Sequence, residues 1–430
     1  MMVVPGEGSC SGTTGSMITR GRTALALIAF AVVVTLPSTA RPAAAPGGVA
    51  PTPGAVNVTG FGVKPNDTAD DTAGFKAAIA KAATQPIYAA GPSGRPQGVV
   101  YVPAGTYRVC GVRPLSNVRI EFDAGATMQL GKVTCGSPTI LSLDGGTSNV
   151  SLVGVGTSTT GKPAAAAGWD ISHSFRINAD PAATGASPQV RGIAVRWTTD
   201  ALIQNVFTVQ NDSRQANNRN TAYTSMSPAL TFYGLPTSTA GSPQIPRRVT
   251  LASLYNIKSP VSYGAVQVSA CVDCTFDGLF SQGGVTLRLE TDAEEAYYLK
   301  NHKHYYSIVD RLNGSDIESL NGRQALTMSP HSQKNGVVTI DGVVMASSVA
   351  AVRTNSARPA GLPLGTFSSA SSVSDIIATP GRLAQIQMAG SVGWTLGKSQ
   401  MAVADSDGQF TVRWSNVHCG GLPSDTPCMP

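Results

Sequence analysis

Short apolar strands recur along this chain at Val150-Ser151-Leu152, Gly192-Ile193-Ala194-Val195, Val249-Thr250-Leu251, Ala265-Val266-Gln267-Val268, Val285 to Leu289, Ala325-Leu326-Thr327 and Val337-Val338-Thr339-Ile340. Each is brief and bounded by Gly, Ser, Asn or Asp. Separations of roughly 20 to 40 residues match the coils of a solenoid, with loops filling the longer gaps. A β-sandwich also produces short strands between turns. The steps Asn117-Val118, Asn149-Val150, Asn205-Val206, Asp277-Gly278 and Asp341-Gly342 favour the solenoid, because such residues fill tight corners between sheets. Charged residues make up only 13% and glycines number 46, a balance poor in salt-bridged helices and suited to β-structure. At 430 residues, size does not limit the core.

The N-terminal part divides by composition. Arg20 and Arg22 precede an apolar run from Ala24 to Leu36, then Pro37-Ser38-Thr39-Ala40 and Ala43-Ala44-Ala45, the order of a secretory signal peptide. The run is short for a membrane span; an uncleaved anchor is the alternative. Met17 is a second candidate start, with residues 1–16 as an extension. Residues 1–45 are thus read as a leader, 46–55 as a Pro/Gly linker and 56–430 as one β domain, with loop insertions near 212–227 and 356–378. Val56 to Phe61 reads as a first strand. Thr68 to Thr72 offers N-cap candidates for a helix whose apolar face runs through Phe75, Ile79 and Ala83. Strand-like segments follow at Gly98 to Tyr107 and Ser116 to Ala126. This order resembles the start of pectinase-type right-handed parallel β-helices, and the resemblance implies an all-β fold whose open end a helix caps.

Formal net charge is +6; removing Arg20, Arg22, Arg41 and Glu7 with the leader leaves +4. There is no dense Lys/Arg tract with interleaved aromatics, so nucleic acid is set aside as a partner. Scattered cations suit an extracellular polyanion such as a sulfated or uronic-acid polysaccharide. Of seven cysteines, Cys10 falls in the leader. The six that remain suggest local disulfides, with Cys110–Cys135, Cys271–Cys274 and Cys419–Cys428 the short separations, although connectivity stays open. Cys271-Val272-Asp273-Cys274 also fits half a zinc site or a redox pair.

Glu290-Thr291-Asp292 ends the Val285 to Leu289 run. On a strand, Val285, Leu287 and Leu289 point into a core while Arg288, Glu290 and Asp292 share the other face. Residues two apart sit about 6.5–7 Å from each other. That separation leans toward an inverting glycosidase, which needs its carboxyl groups roughly 6.5–9.5 Å apart, over a retaining one. Two acids beside an arginine also make an ordinary solvated, salt-bridged face.

The segment Gly284-Val285-Thr286-Leu287-Arg288-Leu289-Glu290-Thr291-Asp292 resembles the catalytic strand of iota-carrageenases, inverting glycoside hydrolases on a right-handed β-helix. The resemblance implies Glu290 as proton donor and Asp292 as the base that activates water. It also implies an active-site glutamine on the preceding coil, matched by Gln267, and a histidine after the acid pair, matched by His331. Arg288 either pairs with Glu290 or binds a substrate sulfate. His302, His304 and Tyr305 form a candidate aromatic-basic wall for a sulfated sugar, and Arg323 is a further candidate contact. The motifs of polygalacturonases are missing from the coil region, where the only Asp-Asp, Asp70-Asp71, belongs to the cap.

These readings together predict an exported, monomeric, endo-acting hydrolase of a sulfated galactan that needs no cofactor. No acidic cluster has metal spacing, so any cation would be structural. A polysaccharide lyase, a polygalacturonase-like hydrolase and a β-helical adhesion protein are the rivals.

Overall fold

A computed structural model describes residues 50–85, 89–131, 139–165, 168–179, 190–210, 228–235, 243–258, 264–291, 307–320, 322, 324–331, 333–348, 350–354, 365–380, 403–405 and 412–419. The leader, the 212–227 segment, Cys135 and Cys428 lie outside the described residues. No helix among the described residues is long and apolar enough to cross a membrane.

The architecture is set by parallel pairing between successive coils. One sheet stacks Thr139–Leu143, Arg191–Val195, Leu230–Phe232, Gly264–Val268, Val285–Glu290, Gln324–Ser329, Ala350–Thr354 and Val403–Asp405 in chain order. The remaining strands form a longer sheet that covers two faces, because single strands turn a corner. Thr198–Gln210, for example, lays Thr198 to Gln204 on Thr147 to Val153 and then Val206 to Val209 on Phe175 to Asn178, with Asn205 between the limbs. Each coil thus supplies three short limbs around one core, the plan of a right-handed parallel β-helix.

The corners explain the Asn and Asp-Gly steps. Asn205, Ser253, Gly278, Asp316, Gly342, Asp375 and Asn416 fall in one register column, and all have φ between +50° and +73°. A second column holds Asn117, Asn149, Asp200, Arg248, Asp273 and Arg311, with φ from +47° to +60°. The left-handed region is costly for most L residues; asparagine, aspartate and glycine enter it most readily. Arg248 and Arg311 are tolerated there beside acidic stack neighbours. Arg248 bonds Asp200 through Nε at 2.6 Å, and Arg311 pairs with Asp273, whose carboxyl it holds below the ordinary carboxylate range.

Inward positions are apolar almost without exception. Leu141, Ile193, Leu230, Val266, Leu287 and Leu326 stack in register, as do Leu143, Val195, Phe232, Val268, Leu289 and Met328, and all are buried. The N-terminal end is closed by the helix Thr72–Ala83, which buries Phe75, Ala78, Ile79 and Ala82. Ala82 therefore takes the place expected of Ala83, which is exposed. Asp70 accepts from Thr72 N–H at 2.8 Å at the helix start. Asp71 instead ties the cap to the first coil by accepting from the backbone N–H of Lys64 and Arg108, while burial pushes its carboxyl upward. Gly98 is needed under the cap, since a Cβ there would lie 2.0 Å from the carbonyl oxygen of Ala82.

Two expectations change. The first strand is only Val56–Asn57 before a 3-10 turn over Val58–Phe61. The stretch read as an insertion ends in the strand Ser372–Pro380, which pairs in parallel with Val338–Ser348 and shifts register between Ala346 and Ser348. Cys271 and Cys274 are joined as a disulfide, so that pair holds no zinc. Cys110 is also disulfide-bonded. Cys419 ends the strand Val417–Cys419.

Candidate active site

The strand Val285–Glu290 ends at the first member of the acid pair. Val285, Leu287 and Leu289 point into the core and are at most 1% exposed, which sends Arg288 and Glu290 to the outer face. Thr291 is held where the strand stops. Its N–H donates to the Ser329 carbonyl at 3.2 Å, and its hydroxyl donates to the Pro330 carbonyl at 3.0 Å. Asn335 donates to the same hydroxyl at 2.9 Å while its own oxygen accepts from Val309 N–H at 3.0 Å. This buried bracket ties the chain after Glu290 to the following coil. Asp292 lies outside the described residues, as do His302, His304, Tyr305 and Arg323.

Glu290 is 7% exposed and collects three side chains from three successive coils. Gln267 Nε2 donates to Oε2 at 3.1 Å, and Arg288 Nε donates to the same oxygen at 2.7 Å. A second Arg288 nitrogen grips Oε1, where His331 Nε2 also sits at 3.1 Å. Gln267 is paired across the ladder with Arg288, and it reaches Glu290 on the diagonal. The ladder neighbour of Glu290 on the following coil is Ser329, buried and with its hydroxyl unpartnered among the described residues.

His331 arrives by a tight turn. The strand Gln324–Ser329 ends beneath Glu290, and His331 follows with φ +50°. Its carbonyl accepts from Gly365 N–H at 2.7 Å. Gly365 must lack a side chain, because a Cβ there would lie 2.5 Å from the Pro330 carbonyl oxygen and 2.6 Å from Gln333 N. Backbone hydrogen bonds among Pro330, His331, Gln333, Asn335, Gly365 and Thr366 stitch a small platform that presents the imidazole.

Chemically, Arg288 and Gln267 are donors to the carboxyl, whereas His331 Nε2 either donates or accepts according to its tautomer. Of these three contacts, the one with His331 is able to take a proton from Glu290 or return one. Arg288 pairs with Glu290 in the structure. Among the described residues, no group of three or more His, Cys, Asp or Glu side chains is placed to hold a metal ion.

Sequence reasoning missed Thr291, Ser329 and Asn335. Nothing in their local sequence marks them, since their roles depend on which coil lies next to which. It also missed a cluster on the same sheet face, where Arg191 and Arg196 flank Tyr233, with guanidinium carbons 5.5 and 5.6 Å from the ring centroid.

Comparison with known proteins agrees with the geometry. A family model described as rhamnogalacturonase A/epimerase, pectate lyase-like, matches residues 55–229. An iota-carrageenase of Zobellia galactanivorans is 26% identical over 302 residues, covering 69% of this chain and 51% of the relative. One from Alteromonas macleodii is 26% identical over 313 residues, covering 72% and 54%. The chain thus spans about half the length of the curated relatives it matches. Among solved structures, an iota-carrageenase complexed to iota-carrageenan fragments superposes with a TM-score of 0.65 at 18% identity, covering 89% of this chain and 92% of the other. An iota-carrageenase of family GH82 from A. fortis superposes with a TM-score of 0.64 at 18% identity, covering 89% and 91%. Sequence relatives and shared fold converge: the chain is similar to iota-carrageenases over 69% of its length and has the parallel β-helix fold of the solved ones.

Proposed function

We propose that this protein is an exported, endo-acting glycoside hydrolase that cleaves a sulfated galactan, with iota-carrageenan as the first substrate to try, and inverts the anomeric centre. The observation that carries the reading is Glu290, a nearly buried carboxyl on an outward strand face, met by Gln267, Arg288 and His331. A glycosidic oxygen leaves poorly unless it is protonated, so one carboxyl must hold a proton next to it. Glu290 takes that part, and His331 is the group able to exchange the proton with it. Asp292 takes the part of the base that activates water from the opposite side of the bond. In an inverting enzyme the water lies between the two carboxyl groups.

Arg288 has two duties in this reading. With the site empty it neutralises Glu290. A sulfate ester entering beside it offers the guanidinium a second anion to bind through two of its oxygens, and that exchange leaves Glu290 free to carry its proton. Gln267 holds the carboxyl in place meanwhile.

The test is release of new reducing ends from iota-carrageenan, with the anomer of the first product followed by NMR. Glu290→Gln should lower kcat by at least about 10²–10⁴-fold, the range typical of a lost general acid, with the melting temperature little changed. A folded Glu290→Gln variant with near-parental activity would refute the assignment. Products that carry an unsaturated, ultraviolet-absorbing sugar would point to a lyase instead.

A further inference from the structure

We propose that Arg191, Arg196, Tyr233, Trp197 and Arg113 form a subsite for a sulfated sugar, on the same sheet face as Glu290 and toward the N-terminal end of the stack. The inference rests on the glycosidase reading for the identity of the polymer. Its own evidence is independent of Glu290.

Register places the cluster. One residue beyond each inward Leu143, Val195, Phe232, Val268 and Leu289 come Asp144, Arg196, Tyr233, Ser269 and Glu290, a single row that crosses five successive strands. Neighbouring strands are about 4.8 Å apart, so Tyr233 stands roughly 10 Å from Glu290 along the stack and Arg196 roughly 14 Å. A polysaccharide lying along that row with its scissile bond at Glu290 passes over both.

The chemistry of the row fits an anionic sugar. Asp144 is shared by two guanidinium groups, bonding Arg113 at 2.9 Å and pairing with Arg196. Arg191 reaches the Tyr233 hydroxyl at 3.3 Å, and among the described residues no carboxylate pairs with it. Among the described residues, three arginines against one acid leave two positive charges without a carboxylate. The Nε of Arg196 is buried with no hydrogen-bond partner among the described residues, a donor that a ligand oxygen would satisfy.

An aromatic surface adjoins the charge. Trp197 is 39% exposed, one of two large apolar side chains left open among the described residues. It lies over Gly146, where a Cβ would come within 3.1 Å of the ring, while one on Gly145 would lie 2.5 Å from Arg113 Nη1. The glycine pair is what lets an indole and a guanidinium settle side by side on this turn. An open indole stacks on the apolar face of a sugar ring, and a planar guanidinium matches the oxygens of a sulfate ester.

Binding is measured apart from cleavage by titrating sulfated galacto-oligosaccharides into the Glu290→Gln protein. Desulfated oligosaccharides and oligogalacturonate run in parallel. Arg191→Gln and Trp197→Ala should each weaken binding of the sulfated ligand by about tenfold or more, the worth of one charge-assisted contact. The Arg191→Gln deficit should shrink as salt rises, since the screening length falls from about 10 Å at 0.1 M to 3 Å at 1 M. In the active protein the same substitutions should raise KM. Trp197 is exposed, so its variant separates binding from misfolding.

Unchanged affinity in both variants overturns the subsite, as does failure of the Glu290→Gln protein to bind any sulfated ligand. Equal binding of oligogalacturonate overturns the sulfate specificity. If the parental protein releases no reducing ends, yet binding depends on Arg191 and Trp197 as stated, the glycosidase reading fails and the subsite stands.

Discussion

At the scale of single residues, the site is a problem of where a proton can go. Among the described residues Gln267 and Arg288 donate to Glu290, and His331 is a contact that can donate or accept. Replacing His331 by asparagine tests this cleanly. Asparagine tolerates the φ of +50° at that position, so the turn survives while the proton-exchanging nitrogen is lost. His331→Asn should lower kcat by about 10²-fold or more and reshape the pH–rate profile, with KM changing far less. A variant that keeps both kcat and the profile would reduce His331 to a structural prop. Gln267, Arg288 and His331 were all legible as candidates in the sequence: alternation turns Arg288 and Gln267 outward, and the family resemblance picks out the glutamine and the histidine. Thr291 and Asn335 were not. A buried threonine hydroxyl and a loop asparagine carry no local signal, and only the 44-residue separation that the coil closes brings them together.

At the scale of elements, the corners carry most of what the sequence says about the fold. Asn117, Asn149, Asn205 and the Asp-Gly steps were readable as corner residues because few other side chains accept a left-handed backbone. Arg248, Ser253 and Arg311 occupy the same columns without any such signature, held there by neighbours that already fix the turn. Gly278 is the informative position. A Cβ there meets only ordinary contacts, the nearest being Ser253 N at 3.7 Å, so the demand is for backbone freedom and not for space. Gly278→Asn should therefore cost little, as its column neighbours Asn205 and Asp316 imply. Gly278→Val should cost about 1–2 kcal/mol more, because a β-branched residue resists the left-handed region. Thermal or urea unfolding of the two variants measures the difference, and equal stabilities would show that the column does not depend on backbone preference.

At the scale of the whole β-helix, each coil touches chiefly the coils before and after it, so stability is close to a sum of coil and interface terms. The cap and the site then belong to different terms. Ile79 is 1% exposed in the cap helix, whereas Glu290 sits several coils further along the stack. Ile79→Ala should remove about 2–5 kcal/mol through lost burial and a residual cavity, lowering the melting temperature by several degrees. Opening the cap also bares the strand edges of the first coil, Val56–Asn57 and Pro96–Val102, which are templates for association. Light scattering should accordingly rise at a lower temperature than in the parent. Well below the transition, kcat/KM on a sulfated galactan should stay within about twofold of the parent, because destabilisation confined to one end does not move Gln267, Arg288 or His331. A fall in kcat/KM at low temperature that parallels the lost stability would mean that the coils melt as a single cooperative body, and the site would then report on the cap after all.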